Sequence, residues 1–150
     1  MTAHPWAPRP KAGDIVQCRF PEGKAGSPGP KDRPALIVEV EADPENDGAS
    51  IAKVAYGTSQ DVEQRYPGEF TDRATDPKAG LDRDTKFDLG STVRLPFDTD
   101  WFAPAPNRRF GDHPKRGTLN LKDPKLKRAL QPFAVSEFSY NYPIPSRCSV

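Results

Sequence analysis

Proline and glycine are spread so densely along this chain that they leave little room for long helices. The sequence contains 18 prolines and 11 glycines among 150 residues, about a fifth of the total. Proline breaks helix interiors, and in sheets it is confined to edges, strand starts and bulges. We therefore predict a loop-rich, mainly β protein with one domain, because this length suffices for one core but not for two.

Short apolar segments separated by turns carry the strand prediction. The first alternates apolar and polar residues as a half-buried strand does, whereas the second is apolar throughout and suits a central strand buried on both faces. Gly90, between the last two segments, indicates a bulge. The pattern predicts a small barrel or strongly bent sheet. The predicted strands are Asp14–Phe20, Pro34–Val40, Ile51–Tyr56, Glu69–Thr71, Thr85–Leu89 and Ser91–Leu95.

The two ends of the chain differ from its middle. Residues 1–11 are proline-rich and predicted to be an extended N-terminal segment, residues 12–134 form the predicted barrel domain, and residues 135–150 form a C-terminal extension. Asp123-Pro124 supplies a helix N-cap and a first-turn proline. Apolar residues then follow at helical spacing, which predicts a short C-terminal helix closing the barrel. They are Leu126, Ala129, Leu130 and Phe133.

Charge is nearly balanced overall but uneven along the sequence. The net charge of +1 excludes attraction of the whole molecule to nucleic acid, so an anionic partner must meet a local patch. Residues 107–128 hold eight basic and two acidic residues, whereas residues 39–47 hold five acidic and no basic ones. The basic run could track an RNA backbone, although such runs are more often a solvated face.

Several features bear on compartment and cofactors. Cys18 and Cys148 lack metal-ligand spacing and form no disulfide framework, and His4 and His113 have no second ligand-type residue nearby. The sequence shows no signal peptide and no apolar run of membrane-spanning length. We therefore expect a cytoplasmic protein that acts without metal, cofactor or membrane.

Arg33 is the sharpest candidate for a functional residue. It lies directly before the most apolar strand, and its guanidinium is permanently charged and can bind two phosphate oxygens at once. A structural ion pair with Asp32 is the alternative. Thr58 and Ser59 follow the third strand, where their hydroxyls can point into a cleft or simply cap a turn.

Lys86 and Asp88 form a second candidate pair. Their spacing puts a cation and a carboxylate on the same face of a strand, with Phe87 turned inward. A carboxylate can take a proton from a ribose 2′-hydroxyl while the cation stabilises the phosphorane, although a surface ion pair is commoner. Trp6 and Trp101 could stack bases, but core packing is favoured for Trp101.

These segments, in this order, resemble the PemK/MazF family of bacterial type II toxins, which are endoribonucleases with an SH3-like β-barrel. The resemblance covers about residues 12 to 133 and is most specific where the first two segments occur together. The matching segments are Gly13-Asp14-Ile15-Val16, Arg33-Pro34-Ala35-Leu36-Ile37-Val38, Thr58-Ser59-Gln60, Thr85–Pro96 and Pro114-Lys115-Arg116-Gly117.

The resemblance implies roles for particular residues. Arg33 would bind the scissile phosphate with help from Thr58, and Lys86 and Asp88 would stand where some members carry an acid–base Arg-x-Asp pair. Lysine lacks the bidentate fork of arginine, so a charge-stabilising role is what remains for Lys86. Ser27 occupies the place of a loop histidine found in some members. The residues expected to contact RNA are Ser27, Lys31, Ser59 and Gln60.

The implied activity is cleavage of single-stranded RNA without metal, through attack of the 2′-hydroxyl to give a cyclic phosphate. Family members are homodimers whose shared groove is filled by an acidic antitoxin tail, which gives the expected partners. Two alternatives stay open. One is a non-catalytic barrel toxin that acts on a protein target such as gyrase, and the other is a plain nucleic-acid-binding or peptide-binding SH3-like module.

Overall fold

The computed structural model describes residues 3–21, 27–64, 68–119 and 122–124. The regular elements in these ranges are six strands, which form one antiparallel sheet in the order β4-β5-β3-β2-β1-β6, curled into a half-barrel. The prediction of a mainly β fold is confirmed. The predicted helix beyond Pro124 and the extension 135–150 lie outside the described residues. The strands are β1 (Asp14–Cys18), β2 (Arg33–Ala42), β3 (Ser50–Thr58), β4 (Glu69–Asp72), β5 (Thr85–Pro96) and β6 (Lys115–Thr118).

The predicted bulge lies in β5, which runs continuously through the two segments predicted as separate strands. Ala55 of β3 pairs with Thr92, but the next residue, Tyr56, pairs with Asp88. The stretch of β5 between these two partners, which includes Gly90, therefore has no counterpart in β3. A bulge of this kind bends the strand and increases its twist. The bulge prediction is confirmed.

The prediction that β1 is half-buried is wrong, because all five of its residues are buried. β1 lies between β2 and β6, and apolar side chains cover both faces of the sheet here. Val16 and Cys18 belong to a core on one face, and Ile15 belongs to a core on the other. Alternation failed as a guide to exposure because the polar Gln17 is also buried, where Arg116 and Asp32 are its hydrogen-bond partners.

Two hydrophobic cores sandwich the sheet. The first is centred on Phe97, Trp101 and Phe102 from the segment after β5, and the second on Phe87, Leu89 and Leu119. Phe87 is fully buried, as its inward orientation predicted. Burying a side chain of this size stabilises the fold by about 1.5–3 kcal/mol. The described segments include no helix long and apolar enough to cross a membrane.

The described part of the N-terminal segment is attached to the end of β5 and the residues after it, with an isolated bridge between Pro5 and Asp98. The Trp6 backbone N–H donates to the Phe97 carbonyl at 3.1 Å. The buried His113 ring fixes the segment further along: its Nδ1 accepts from the Lys115 N–H at 3.0 Å, so Nε2 carries the proton and donates to the Pro8 carbonyl at 2.9 Å. With both nitrogens engaged, His113 has a structural role.

The last residue of β4, Asp72, carries a carboxyl group that is easier to protonate than usual. Burial and the neighbouring Asp76 carboxyl raise its pKa from 3.8 to about 6. The folded state therefore binds a proton more tightly than the unfolded chain between these two values. It follows that the free energy of unfolding falls as the pH rises through this window.

We expect Asp72→Asn to raise the free energy of unfolding at pH 7 by about 1 kcal/mol, after allowing for solvent screening of a half-exposed group. The neutral amide removes the cost of holding a carboxylate there, and its oxygen can still accept from the Arg73 N–H. Urea unfolding at pH 7 and pH 4 measures the effect, which should vanish at pH 4. The exposed Asp47→Asn is the control, and an equal gain at both pH values would contradict the assignment.

Candidate functional site

A cavity of about 240 Å³ opens at the end of the sheet where β1 and β3 end and β2 and β5 begin. We call it the strand-end cavity. Charged and polar residues dominate its lining, and they come from five strands or from the residues next to them. The arginines are Arg33, Arg83 and Arg116; the aspartates are Asp32 and Asp82; the other polar residues are Gln17, Ser59 and Thr85.

Arg116 forms the floor of the strand-end cavity and is only 3% exposed. Its Nη1 donates to the Gln17 Oε1 at 2.8 Å and its Nε to the Gly80 carbonyl at 3.1 Å. Gln17 in turn donates from Nε2 to the Asp32 carboxylate at 2.8 Å. The glutamine amide therefore links a cation to a carboxylate across the cavity, which explains why a polar residue is buried within β1.

Arg116 owes its direction to a bulge in β6. Ile15 of β1 pairs with Gly117, whereas the next residue, Val16, pairs with Lys115, so Arg116 has no pairing partner between them. Bulges commonly re-aim a side chain in this way. The Lys115 ammonium lies 3.4 Å from the Asp14 carboxylate, while Arg116 reaches Gln17 and the strand-end cavity. The neighbouring side chains of Lys115 and Arg116 therefore make contacts on two different sides of the edge strand β6.

The electrostatics of the strand-end cavity favour a small anion. Burial lowers the pKa of Arg116, and the nearby Asp82 and Asp32 carboxylates oppose that shift. A guanidinium stays charged in proteins, so Arg116 is a fixed cation. Three arginines and two aspartates line the described part of the cavity, so the lining carries a net positive charge. The cavity is smaller than the ~300–1,000 Å³ typical of drug-sized ligands, which suits a group such as a phosphate.

We expect Arg116→Lys to lower the free energy of unfolding by about 2 kcal/mol. A lysine keeps the charge but cannot reach the Gln17 Oε1 and the Gly80 carbonyl together, so a buried acceptor loses its donor. Urea unfolding measures the loss. The same replacement at the exposed Arg83 serves as the matched control and should stay within about 0.5 kcal/mol of the wild type. Equal stability of Arg116→Lys and the wild type would contradict the network.

The structure brings only some of the predicted site residues together. Arg33 and Ser59 line the strand-end cavity, and Arg33 is half-buried there. Thr58 is outside the described lining, but the pairing of Ala35 with Tyr56 places Arg33 and Thr58 on the same face of the sheet. Thr58 pairs with Lys86, which places Lys86 on that face as well.

Lys86 and Asp88 are engaged in holding loops. The Lys86 side chain is 9% exposed, and its Nζ donates to the Gln64 carbonyl at 2.7 Å and to the Asp61 carbonyl at 3.1 Å. The Asp88 carboxylate accepts from the Gly90 N–H at 2.9 Å and from the Ser91 hydroxyl at 2.8 Å. Lys86 thus fastens the loop after β3, and Asp88 fastens the bulge in β5.

The remaining predicted residues lie at the surface. Ser27, Lys31 and Gln60 are exposed and lie outside the described lining of the strand-end cavity. The Gln60 N–H donates to the Thr58 hydroxyl at 3.1 Å, which is the turn-capping role that the sequence left open as an alternative. These residues contact the protein's own loops or solvent.

Sequence reasoning did not assign six polar residues of the cavity lining to a site: Gln17, Asp32, Asp82, Arg83, Thr85 and Arg116. One available signal was Gln17, a polar residue between two strongly apolar neighbours, which is the pattern of a buried group with a dedicated partner. Arg116 was visible only as one member of a basic run. Its partner Gln17 lies 99 residues away, so no local pattern marks the pair.

Other chemistries find less support in the described residues. They contain no group of three or more His, Cys, Asp or Glu side chains suited to a metal ion. Cys18 is fully buried, and burial raises the pKa of its thiol, so it stays protonated and is a poor nucleophile. No protein-family model matches the chain, and a search of curated proteins finds no match. The function is therefore argued from the site.

Proposed function

We propose that this protein is an endoribonuclease of the PemK/MazF type, built on an SH3-like barrel, that cleaves single-stranded RNA as the toxin of a toxin–antitoxin pair. The observation that supports the proposal best is the position of Arg33 at a net-positive strand-end cavity of phosphate-accommodating size. The curled six-stranded sheet is compatible with such a barrel.

In this proposal the arginines of the strand-end cavity stabilise the charge that develops as the phosphodiester breaks. Arg33 grips two non-bridging oxygens, and its fork geometry favours the trigonal-bipyramidal arrangement of the phosphorane. Arg116 contributes a fixed positive potential from the floor, and the exposed Arg83 steers the strand at the rim. Fixed groups of this kind cost no reorganisation during the reaction.

The reaction requires one proton acceptor, and the cavity lining offers Asp32. The Gln17 amide orients its carboxylate, whereas Asp82 lies 3.4 Å from the Arg116 guanidinium. The ribose 2′-oxygen forms a bond to phosphorus and gives its proton to Asp32, while the bond from phosphorus to the 5′-oxygen breaks and that oxygen takes a proton from water. The proposal assigns this role to Asp32 in place of Asp88, whose carboxylate accepts two bonds within the bulge.

The proposal extends to partners and location. An acidic antitoxin segment would neutralise the same cations that bind RNA, and the protein would work as a homodimer in the bacterial cytoplasm. The strand-end cavity and the exposed cations between residues 107 and 119 provide positive surface for such a segment. Charge complementarity of this kind speeds association and is weakened by salt.

The test is incubation of the purified protein with a long unstructured RNA in EDTA. We expect discrete fragments that carry a 2′,3′-cyclic phosphate and a free 5′-hydroxyl, which a kinase can label without prior phosphatase treatment. A matched oligonucleotide with a single 2′-deoxyribose at the mapped cut should resist cleavage, because the nucleophile is missing. Intact RNA at every protein concentration would refute the proposal.

A growth assay separates the alternatives. An endoribonuclease toxin should arrest bacterial growth when it is expressed alone, and should stop doing so when Arg33 is replaced. Growth arrest with intact cellular RNA would instead favour a toxin that acts on a protein target. The absence of both growth arrest and RNA cleavage would favour a plain binding module.

A further inference from the structure

A second cavity, of about 310 Å³, lies beside β6 and next to the exposed ring of Phe110. We call it the Phe110 cavity. Phe110 is 45% exposed, which is unusual for a large apolar side chain in a chain with two well-filled cores. Exposed aromatic rings in a polar setting often mark binding sites.

Positive charges surround this ring. The Lys115 ammonium lies 4.5 Å from the ring centroid and the Arg109 guanidinium carbon lies 5.9 Å from it. Arg9 and Lys11, both exposed, also line the Phe110 cavity. Two cations therefore lie over the ring, and two more line the cavity beside it.

The acidic and titratable groups of this cavity are already engaged. The Asp14 carboxylate lies 3.4 Å from the Lys115 ammonium and accepts the Lys11 backbone N–H at 2.9 Å. Both ring nitrogens of His113 are bonded to backbone groups. The Phe110 cavity thus offers a ligand excess positive charge beside a half-exposed aromatic ring.

We propose that the Phe110 cavity binds a nucleotide of single-stranded RNA, with its base stacked on the exposed part of Phe110 and its phosphates held by Arg9 and Lys11. Stacking on an aromatic side chain inside a basic groove is a general mode of single-strand binding. Phe110 suits this role better than the tryptophans, because Trp101 is buried and the Trp6 indole N–H is bonded to the Phe102 carbonyl. An acidic peptide would satisfy the cations but would gain little from a planar ring.

The position of this subsite relates it to the strand-end cavity. Lys115 lines the Phe110 cavity and its neighbour Arg116 lines the strand-end cavity, so the edge strand β6 separates the two. One RNA strand crossing this edge would reach both. The subsite would then hold a nucleotide away from the cleaved linkage, and in that respect the inference rests on the proposed function.

The test uses a short, fluorescently labelled 2′-O-methyl RNA, which can bind but cannot be cut, so that binding is measured without cleavage. We expect Phe110→Leu to weaken binding about 10-fold and Phe110→Trp to restore it, because leucine keeps the apolar bulk but cannot stack. Arg9→Gln should lower the slope of log affinity against log salt by about 0.7, whereas Phe110→Leu should leave the slope unchanged.

Two controls make the outcome decisive. Arg94→Ala removes a cation near the far end of β5, where it is ion-paired with Glu41, and should not change RNA affinity. An acidic peptide labelled in the same way tests the other class of ligand. The inference would be overturned if Phe110→Leu bound RNA as tightly as the wild type does. It would also be overturned if Phe110→Leu weakened binding of the acidic peptide but not of RNA. Phe110-dependent RNA binding without any cleavage of ordinary RNA would refute the proposed function and leave this inference standing.

Discussion

Replacement of Arg33 with alanine is expected to reduce the rate of RNA cleavage by about 10²- to 10³-fold, the usual cost of removing one preorganised donor from a transition state. The reason is geometric as well as electrostatic. Arg33 begins β2 and lines the strand-end cavity, so its loss removes one of the three arginines of the lining and a group that can bind two phosphate oxygens. Single-turnover cleavage of a defined oligonucleotide measures the effect.

Two variants interpret this result. Arg33→Lys keeps the charge and loses the fork, and we expect an intermediate rate. Arg94→Ala removes a half-buried arginine far from the site and should cleave like the wild type. Matching thermal unfolding curves for all three proteins would show that the rates report chemistry. Full activity in Arg33→Ala with the fold intact would remove the basis of the proposed mechanism.

Replacement of Gly117 with alanine is expected to lower the free energy of unfolding by about 3 kcal/mol. A Cβ at Gly117 would lie 2.2 Å from the Lys78 carbonyl oxygen and 2.3 Å from the Ala79 carbonyl group. All of these are backbone atoms, which cannot move aside as a flexible side chain can. The Thr118 N–H donates to that same Lys78 carbonyl at 2.7 Å, so the two segments cannot separate without losing a bond. Denaturant unfolding gives the magnitude.

Gly111→Ala provides the comparison. Gly111 has a φ of 77° and open space around the position of a Cβ, so alanine there costs only backbone strain, about 1 kcal/mol. A cost at Gly117 no larger than that at Gly111 would contradict the close approach of β6 to the segment before β5. Because this approach also supports Arg116 through the Gly80 carbonyl, Gly117→Ala should weaken any anion binding at the strand-end cavity as well.

Local patterns sufficed for much of the sheet. The apolar run of β2 and the glycine in β5 each signal their structure within a few residues. The strand and the bulge are both present, although β2 is buried only at Ala35, Leu36 and Ile37. β6 escaped prediction because Lys115-Arg116-Gly117-Thr118 has two cations and a glycine, and it is a strand only because β1 offers a pairing edge. A strand created by its partner leaves little trace in its own sequence.

In the candidate site, too, some residues could be predicted from local patterns and others could not. Arg33 and Ser59 were predictable because each stands at the end of a recognisable strand. Spacing could also show that Lys86 and Asp88 share a face, but not which face meets a cavity, since that depends on pairing with β3. The link from Arg116 through Gln17 to Asp32 joins three distant parts of the chain, and only the folded sheet assembles it.

The unpaired position of Arg116 in β6 also bears on how such a site arises. An extra residue in an edge strand is an insertion, and the residues on either side of it keep their pairing with β1. Gain or loss of a single codon at this point would therefore add or remove the innermost cation while leaving the surrounding ladder in place. Length variation in this one short strand is a route by which anion affinity changes without redesign of the core.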